Sequence, residues 1–279
     1  MPSARAALLT LLCLPPAFPA SASSSIALEP FGRGLWTIAV AAGPSAPAWR
    51  FLVDTGASRT VLDASAARRA GIPVSDGARL MTPAGTVEAG LATLAGFRLG
   101  DRVRTALRVV VADLSTLGRA PSLDGILGMD VLDGEHVVFD FDRGRLRFPA
   151  SAEAAGLSEG TAVPIREIGG RLLVEARVNG APRDLVLDSG AEVAVIYGGS
   201  GGGGTSLATA GGTGRGRSIE ALVALARLPL GLMPAVLVAA PPETTGAGGV
   251  LPAARFTWIH VDRAAGVVRL VPRLPEAGR

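Results

Sequence analysis

The sequence predicts a mostly β chain built as two lobes about a pseudo-twofold axis, the second lobe a degenerate copy of the first. Three observations carry this reading. An apolar run, Phe51 to Val53, delivers Asp54-Thr55-Gly56-Ala57 and is followed by Val61-Leu62; a second, Leu185 to Leu187, delivers Asp188-Ser189-Gly190-Ala191 and is followed by Val195-Ile196. Around both stretches the same order of strand-like runs recurs. Finally, a chain of 279 residues, 48% apolar and only 4% aromatic, has enough apolar surface for one large core or two small ones.

The elements follow in chain order. Arg5, the apolar run Ala6 to Leu14, the break at Pro15-Pro16 and the small residues Ala20-Ser21-Ala22 read as a secretory signal peptide over 1–22, cleaved after Ala22. The first lobe is expected over 35–149. It opens with LWTIAV and the turn Gly43-Pro44, continues into the strand that ends at Asp54, and then places a short helix in DASAARRAGIPV, stopped by Gly71 and Pro73. LMTPAGT, Leu80 to Thr86, has the turn chemistry of a hairpin tip; LRVVVA and Ile126-Leu127-Gly128 are strands, and a β pattern around Asp142-Arg143 closes the lobe.

After a linker over 150–169, the second lobe, 170–272, repeats the series. Its members are RLLVEARV, the turn Asn179-Gly180, the strand ending at Asp188, the hairpin LATAGGT (Leu207 to Thr213), AVLVAA, Val250-Leu251-Pro252 and the stretch around Asp262-Arg263. The interval from Thr86 to Ile126 nearly equals that from Thr213 to Val250, whereas the interval from Asp54 to Thr82 is longer than that from Asp188 to Thr209. The missing residues are the helix. In its place stand Tyr197 and GGSGGGG, where each glycine costs about 1 kcal/mol relative to alanine in a helix, so a flexible loop is expected.

Composition excludes several classes. The single cysteine, Cys13, falls in the signal segment, so the mature chain is expected to lack disulfides and thiolate metal sites. All 27 basic residues are arginine, scattered among 24 acids with no run longer than Arg68-Arg69. The pI near 10.2 therefore reflects arginine's high pKa rather than a basic stripe of the kind that tracks phosphates, and no nucleic-acid partner is expected. His136 and His260 have different neighbours in the two halves and read as strand decoration; no metal or cofactor is expected. No later run is long and apolar enough to span a bilayer.

The two aspartates point to chemistry. Packing the halves about a twofold axis brings Asp54 and Asp188 side by side, and two adjacent carboxyls share one proton. A water between them meets one general base and one general acid, which suits direct attack on a peptide carbonyl.

Asp-Thr-Gly-Ala, Thr60-Val61-Leu62 and Ile126-Leu127-Gly128 together resemble the retroviral-type, or retropepsin-like, aspartic proteases. The resemblance covers most of Leu35 to Phe148 and, more weakly, Arg171 to Leu270, as if a retroviral dimer had been fused into one acid-protease-like chain. It implies catalytic Asp54 and Asp188, supporting loops Thr55-Gly56-Ala57 and Ser189-Gly190-Ala191, and substrate flaps at Thr82-Pro83-Ala84-Gly85-Thr86 and Ala210-Gly211-Gly212. It further implies an endopeptidase with a peptide or protein substrate; with the signal segment this makes an exported, periplasmic or extracellular enzyme, expected as a monomer, with pairing of two N-terminal halves across chains left open.

The second half departs from the family pattern. Pro252 stands for the glycine after the apolar pair, the helix is missing, and Glu192 brings another carboxylate next to Asp188. The alternative is a catalytically silent peptide-binding or scaffold protein of the same fold.

Overall fold

The computed structural model describes residues 25–42, 48–118, 122–156, 160–199, 203–210, 212–240 and 246–273. The signal segment with Cys13, the Gly43-Pro44 turn, Gly211 and part of the GGSGGGG run lie outside the described residues.

Strands dominate, and two sheets show one plan. In the first, Trp36–Ala42, Trp49–Val53, Gly125–Leu127, Val61–Asp63, Arg102–Ala112, Gly85–Leu99 and Ser75–Thr82 lie side by side, with Glu29–Pro30 on the outer edge. In the second, Arg171–Val178, Ala181–Asp188, Gly249–Pro252, Ala194–Tyr197, Leu228–Val238, Gly212–Leu225 and Thr205–Thr209 follow in the same order. The directions agree too. Trp49–Val53 runs parallel to Gly125–Leu127, as Ala181–Asp188 does to Gly249–Pro252. Each sheet curls until its first strand meets its longest one, through Ala41↔Arg98 and Ala42↔Phe97 in one and Arg177↔Ala224 and Val178↔Val223 in the other.

Local chemistry sets the turns. Asn179 and Gly180 take φ of 51° and 83°, the paired left-handed conformation of a two-residue hairpin, and close Val178 onto Ala181. The expected helix is Ala64–Arg69; Asp63 caps it by accepting from Ser65 N and Ala66 N, while Ala66 and Ala67 are buried. After Tyr197 the second half carries no helix at the matching place among the described residues, and the Gly198 and Gly199 N–H groups donate to Val238 O instead.

A third antiparallel layer joins the lobes: Ser25–Ala27, Arg145–Arg147, His136–Asp140, Phe256–Asp262, Val267–Pro272 and Thr161–Ile168. Segments expected to close each lobe thus leave it and pair with one another, His136 opposite Asp262 and Asp140 opposite Trp258. The expected linker is structured as well. Thr161–Ile168 pairs with Val267–Leu270 through Pro164, then from Ile165 with the first strand of the second lobe. One apolar core runs through all three layers. Phe51, Phe97, Phe139 and Phe256 are fully buried in it, and burial of each such ring contributes roughly 1.5–3 kcal/mol.

Candidate active site

Both aspartates sit where a central strand of a lobe ends and its chain turns toward the other lobe. Thr55 Oγ1 donates to Leu187 O (2.6 Å) and accepts from Ser189 N (3.0 Å). Ser189 Oγ reciprocates, donating to Val53 O (2.8 Å) and accepting from Thr55 N (3.0 Å). All four bonds cross the axis, and both side chains are buried. They lock the two loops face to face.

The glycines make room for the aspartates. A Cβ on Gly56 would lie 2.4 Å from Asp188 Oδ2, and one on Gly190 would lie 2.5 Å from Asp54 Cγ. Each loop backbone therefore presses on the opposite carboxyl. Beneath the first loop the chain crosses itself: Asp54 N donates to Leu127 O, and Met129 N donates to Ala57 O. A Cβ on Gly128 would lie 2.5 Å from the Arg59 carbonyl carbon, so only glycine fits there. At the matching place in the second half stands Pro252, buried, with its strand still paired to Asp188.

Asp54 and Asp188 hydrogen-bond one another at the floor of a cavity. Burial, and then the charge of Asp54 beside it, push the Asp188 carboxyl well above the usual carboxylate range. Burial also raises Asp54. Against that work the bond from Asp188, the Gly56 and Ala57 N–H groups at 2.8 and 3.0 Å, and the positive charge of Arg171. The pair is thus built to hold one proton between its two carboxyls. Ala57 and Ala191 border the same cavity and put no hydroxyl near the carboxyls.

The roof is double. The Thr82–Gly85 and Thr209–Gly212 turns reach toward each other over the cavity, each tied by its own threonine: Thr82 Oγ1 donates to Gly85 O, and Thr209 Oγ1 lies 3.0 Å from Gly212 O. Ala84 N donates back to Thr82 Oγ1, holding Pro83 and Ala84 at the tip; Thr86 returns opposite Met81. The tips touch. Thr209 Oγ1 lies 3.2 Å from Thr82 Oγ1, a Cβ on Gly214 would come within 2.9 Å of Ala84 Cβ, and Thr116 Oγ1 donates to Thr209 O. Ala210 packs on the apolar cluster of the first lobe. The cavity, open on part of its surface, has a volume of about 540 Å³, enough for a few side chains of an extended peptide.

Glu192, a like charge for the pair only if it points inward, borders the cavity and its Oε1 accepts from Arg33 N (3.1 Å); what raises Asp188 is burial and then the charge of Asp54. The histidines, read as strand residues, lie on two strands that pair in the joining layer. His136 Nδ1 lies 3.2 Å from His260 Nε2 and 3.6 Å from Asp262 Oδ1, all three residues buried. Their ligand atoms are close enough for a metal ion, yet the charges of Arg147 and Arg269 act on His260 and oppose a dication there.

Sequence reasoning missed Arg171 and Tyr197. Both border a smaller cavity of about 60 Å³ beside Asp188, and burial pushes the Tyr197 hydroxyl up to about 12. The signal was present in the repeat: aligning the halves sets Arg171 on Leu35, a charge where the first copy is apolar.

Residues 41–131 match the family model described as aspartyl protease. No curated protein sequence matches the chain. Among solved structures it is similar to the aspartic proteinase from Irpex lacteus, with a TM-score of 0.56 and 14% identity over 90% of this chain and 97% of that one. No helix among the described residues is long and apolar enough to cross a membrane. The chain therefore has the fold of an aspartic proteinase, with a match to the aspartyl protease family in its first half.

Proposed function

We propose that the chain is an exported aspartic endopeptidase that hydrolyses peptide bonds with water activated between Asp54 and Asp188, acting as a monomer. One observation carries the reading: two mutually hydrogen-bonded carboxyls, supplied by equivalent loops, form the floor of a cavity roofed by two hairpins. The duplicated plan of the sheets explains how one chain supplies both carboxyls.

The ionised Asp54 accepts a proton from the attacking water while protonated Asp188 donates to the substrate carbonyl oxygen, giving a neutral diol. Collapse of the diol returns one hydroxyl proton to Asp188 as Asp54 passes its proton to the leaving nitrogen, and the C–N bond breaks. The hairpin strands offer backbone groups to an extended peptide, and apolar walls offer pockets for its side chains.

The test is a mixed peptide library offered to the mature protein from pH 3 to 8, alongside Asp54→Asn and Asp188→Asn. Cleavage abolished by either substitution supports the enzyme. Undiminished cleavage in both variants removes the dyad from the mechanism, and binding without cleavage favours the scaffold alternative. Export is tested separately, by the mature protein beginning at Ser23 outside the cytoplasm.

A further inference from the structure

The pseudo-twofold relation implies a pair of subsites, one on each side of the dyad, and the two are not alike. Leu52 pairs with Ile126 in the first lobe as Val186 pairs with Val250 in the second, which fixes the correspondence of the two walls. On the Asp54 side Leu35, Leu52, Val61, Val110 and Ile126 form an apolar wall, with Arg59 and Arg79 of the same lobe also bordering the large cavity but not the smaller one. On the Asp188 side Val186, Val250 and Tyr197 are joined by Arg171, which stands where Leu35 stands in the first lobe.

Arg171 is the one arginine that borders both the large cavity and the smaller one beside Asp188. Its Nε is buried with no hydrogen-bond partner. No ion pair joins it to an acidic side chain among the described residues, although its charge is felt by Asp54 and Tyr197. A half-buried guanidinium without an anion, facing a cavity, is a fork of donors shaped for a carboxylate.

We propose that Arg171 forms a carboxylate-binding subsite beside Asp188, so that the cleft selects a peptide with an acidic group on the Asp188 side of the scissile bond and an apolar side chain on the Asp54 side. This rests on the reading of the cleft as peptide-binding. The acidic group is the side chain of an aspartate or glutamate, or the carboxylate that ends a chain. Both present the same two oxygens to the guanidinium, and matched peptides separate them.

The experiment compares peptides that differ only as Glu against Gln at the residues flanking the cleaved bond, each made with a free and an amidated C-terminus. It is run above about pH 5, where a free glutamate is ionised. In the wild-type protein kcat/KM is expected to favour Glu at one position by at least tenfold. The ratio falls to about one in Arg171→Gln and inverts to favour Gln in Arg171→Glu. A preference that follows the free terminus instead identifies a chain end as the ligand. If Arg171 acted only by holding Asp54 ionised, its loss would shift the pH profile for both peptides and leave their ratio unchanged, which overturns the subsite.

Binding separates this inference from the protease reading. The same peptides are titrated into Asp54→Asn and into Asp54→Asn/Arg171→Gln. Discrimination that disappears with Arg171, in a protein that cleaves nothing, keeps the subsite and removes the endopeptidase. Equal binding of Glu and Gln peptides, or binding of neither, overturns the subsite whatever the activity.

Discussion

Thr55 and Ser189 each occupy the other's hydrogen-bonding shell: each hydroxyl accepts the other residue's backbone N–H and donates to a carbonyl of the opposite strand. No other pair of side chains ties the two aspartate loops in this way among the described residues. Thr55→Val keeps the shape and removes the hydroxyl, stranding Leu187 O and the Ser189 N–H in a buried place. Each stranded group costs roughly 1–3 kcal/mol, so the melting temperature should fall measurably. Peptide cleavage should fall further than stability explains, because the loops carry the carboxyls. A variant of unchanged stability and activity would show that the interlock does not hold the dyad.

Gly56→Ala tests the dyad more directly. The new Cβ would enter the space of Asp188 Oδ2, at 2.4 Å, and the carboxyl must move or the loop must open. Gly56 does not need a left-handed backbone, so the strain is confined to that contact. The expected result is a folded protein with kcat lowered by at least about a hundredfold, since displacement of a reacting group by ~1 Å has that effect. Wild-type kcat in a folded Gly56→Ala would mean that Asp188 takes no part in the reaction.

The aspartates were legible in the sequence because their chemistry is local: an apolar strand, a hydroxyl residue and a glycine each leave a mark, and the mark occurs twice. The two hairpin tips were legible for the same reason, through Thr82 and Thr209 beside turn residues. Partner choice was not. His136–Asp140 reads as a strand from its pattern, but nothing in it says that it leaves the first lobe to lie against Phe256–Asp262. The two histidines meet only through that register. Arg171 was hidden because it opens a strand already explained by the apolar residues after it, and only its place opposite Leu35 reveals its direction.

The Asp188 carboxyl should make the protein less stable as pH rises. Its folded-state pKa lies above the unfolded value near 3.8, so its contribution is fully present below that value and is lost as pH climbs through the raised folded pKa. Asp188→Asn removes the share of this dependence that comes from Asp188. The variant should therefore melt above wild type at neutral pH, with the difference closing toward about pH 4. A constant difference across that range would mean that the buried pair is not protonated.

His260 works in the opposite direction. Burial pushes its pKa down to about 4, against the pull of Asp262, with His136, Arg269 and Arg147 acting in the same direction as burial. A lowered folded-state pKa gives stability that is present above the unfolded value of 6.5 and is lost as pH falls toward 4. His260→Gln keeps a hydrogen-bonding side chain that cannot take up the proton, so its melting temperature should decline less than wild type between those limits. Parallel curves for the two proteins would show that the histidine pair does not set the acid limb.

Catalysis should be most active at mildly acidic pH, around pH 5 to 6, because a buried carboxyl pair with no hydroxyl beside it holds its proton longer than one that receives extra hydrogen bonds. Ala57 and Ala191 decide this. Ala57 already gives Asp54 its backbone N–H, and its methyl packs against the first lobe's apolar cluster, as that of Ala191 does against the second's. A serine hydroxyl at either place would donate to an ionised oxygen and lower the first apparent pKa of the pair. Ala57→Ser with Ala191→Ser should then move the acidic limb of kcat/KM to lower pH while leaving the basic limb less affected, since activity needs one proton retained. An active double variant whose acidic limb stays in place, or rises, would put the control of the working pH elsewhere, with Arg171 the next group to vary.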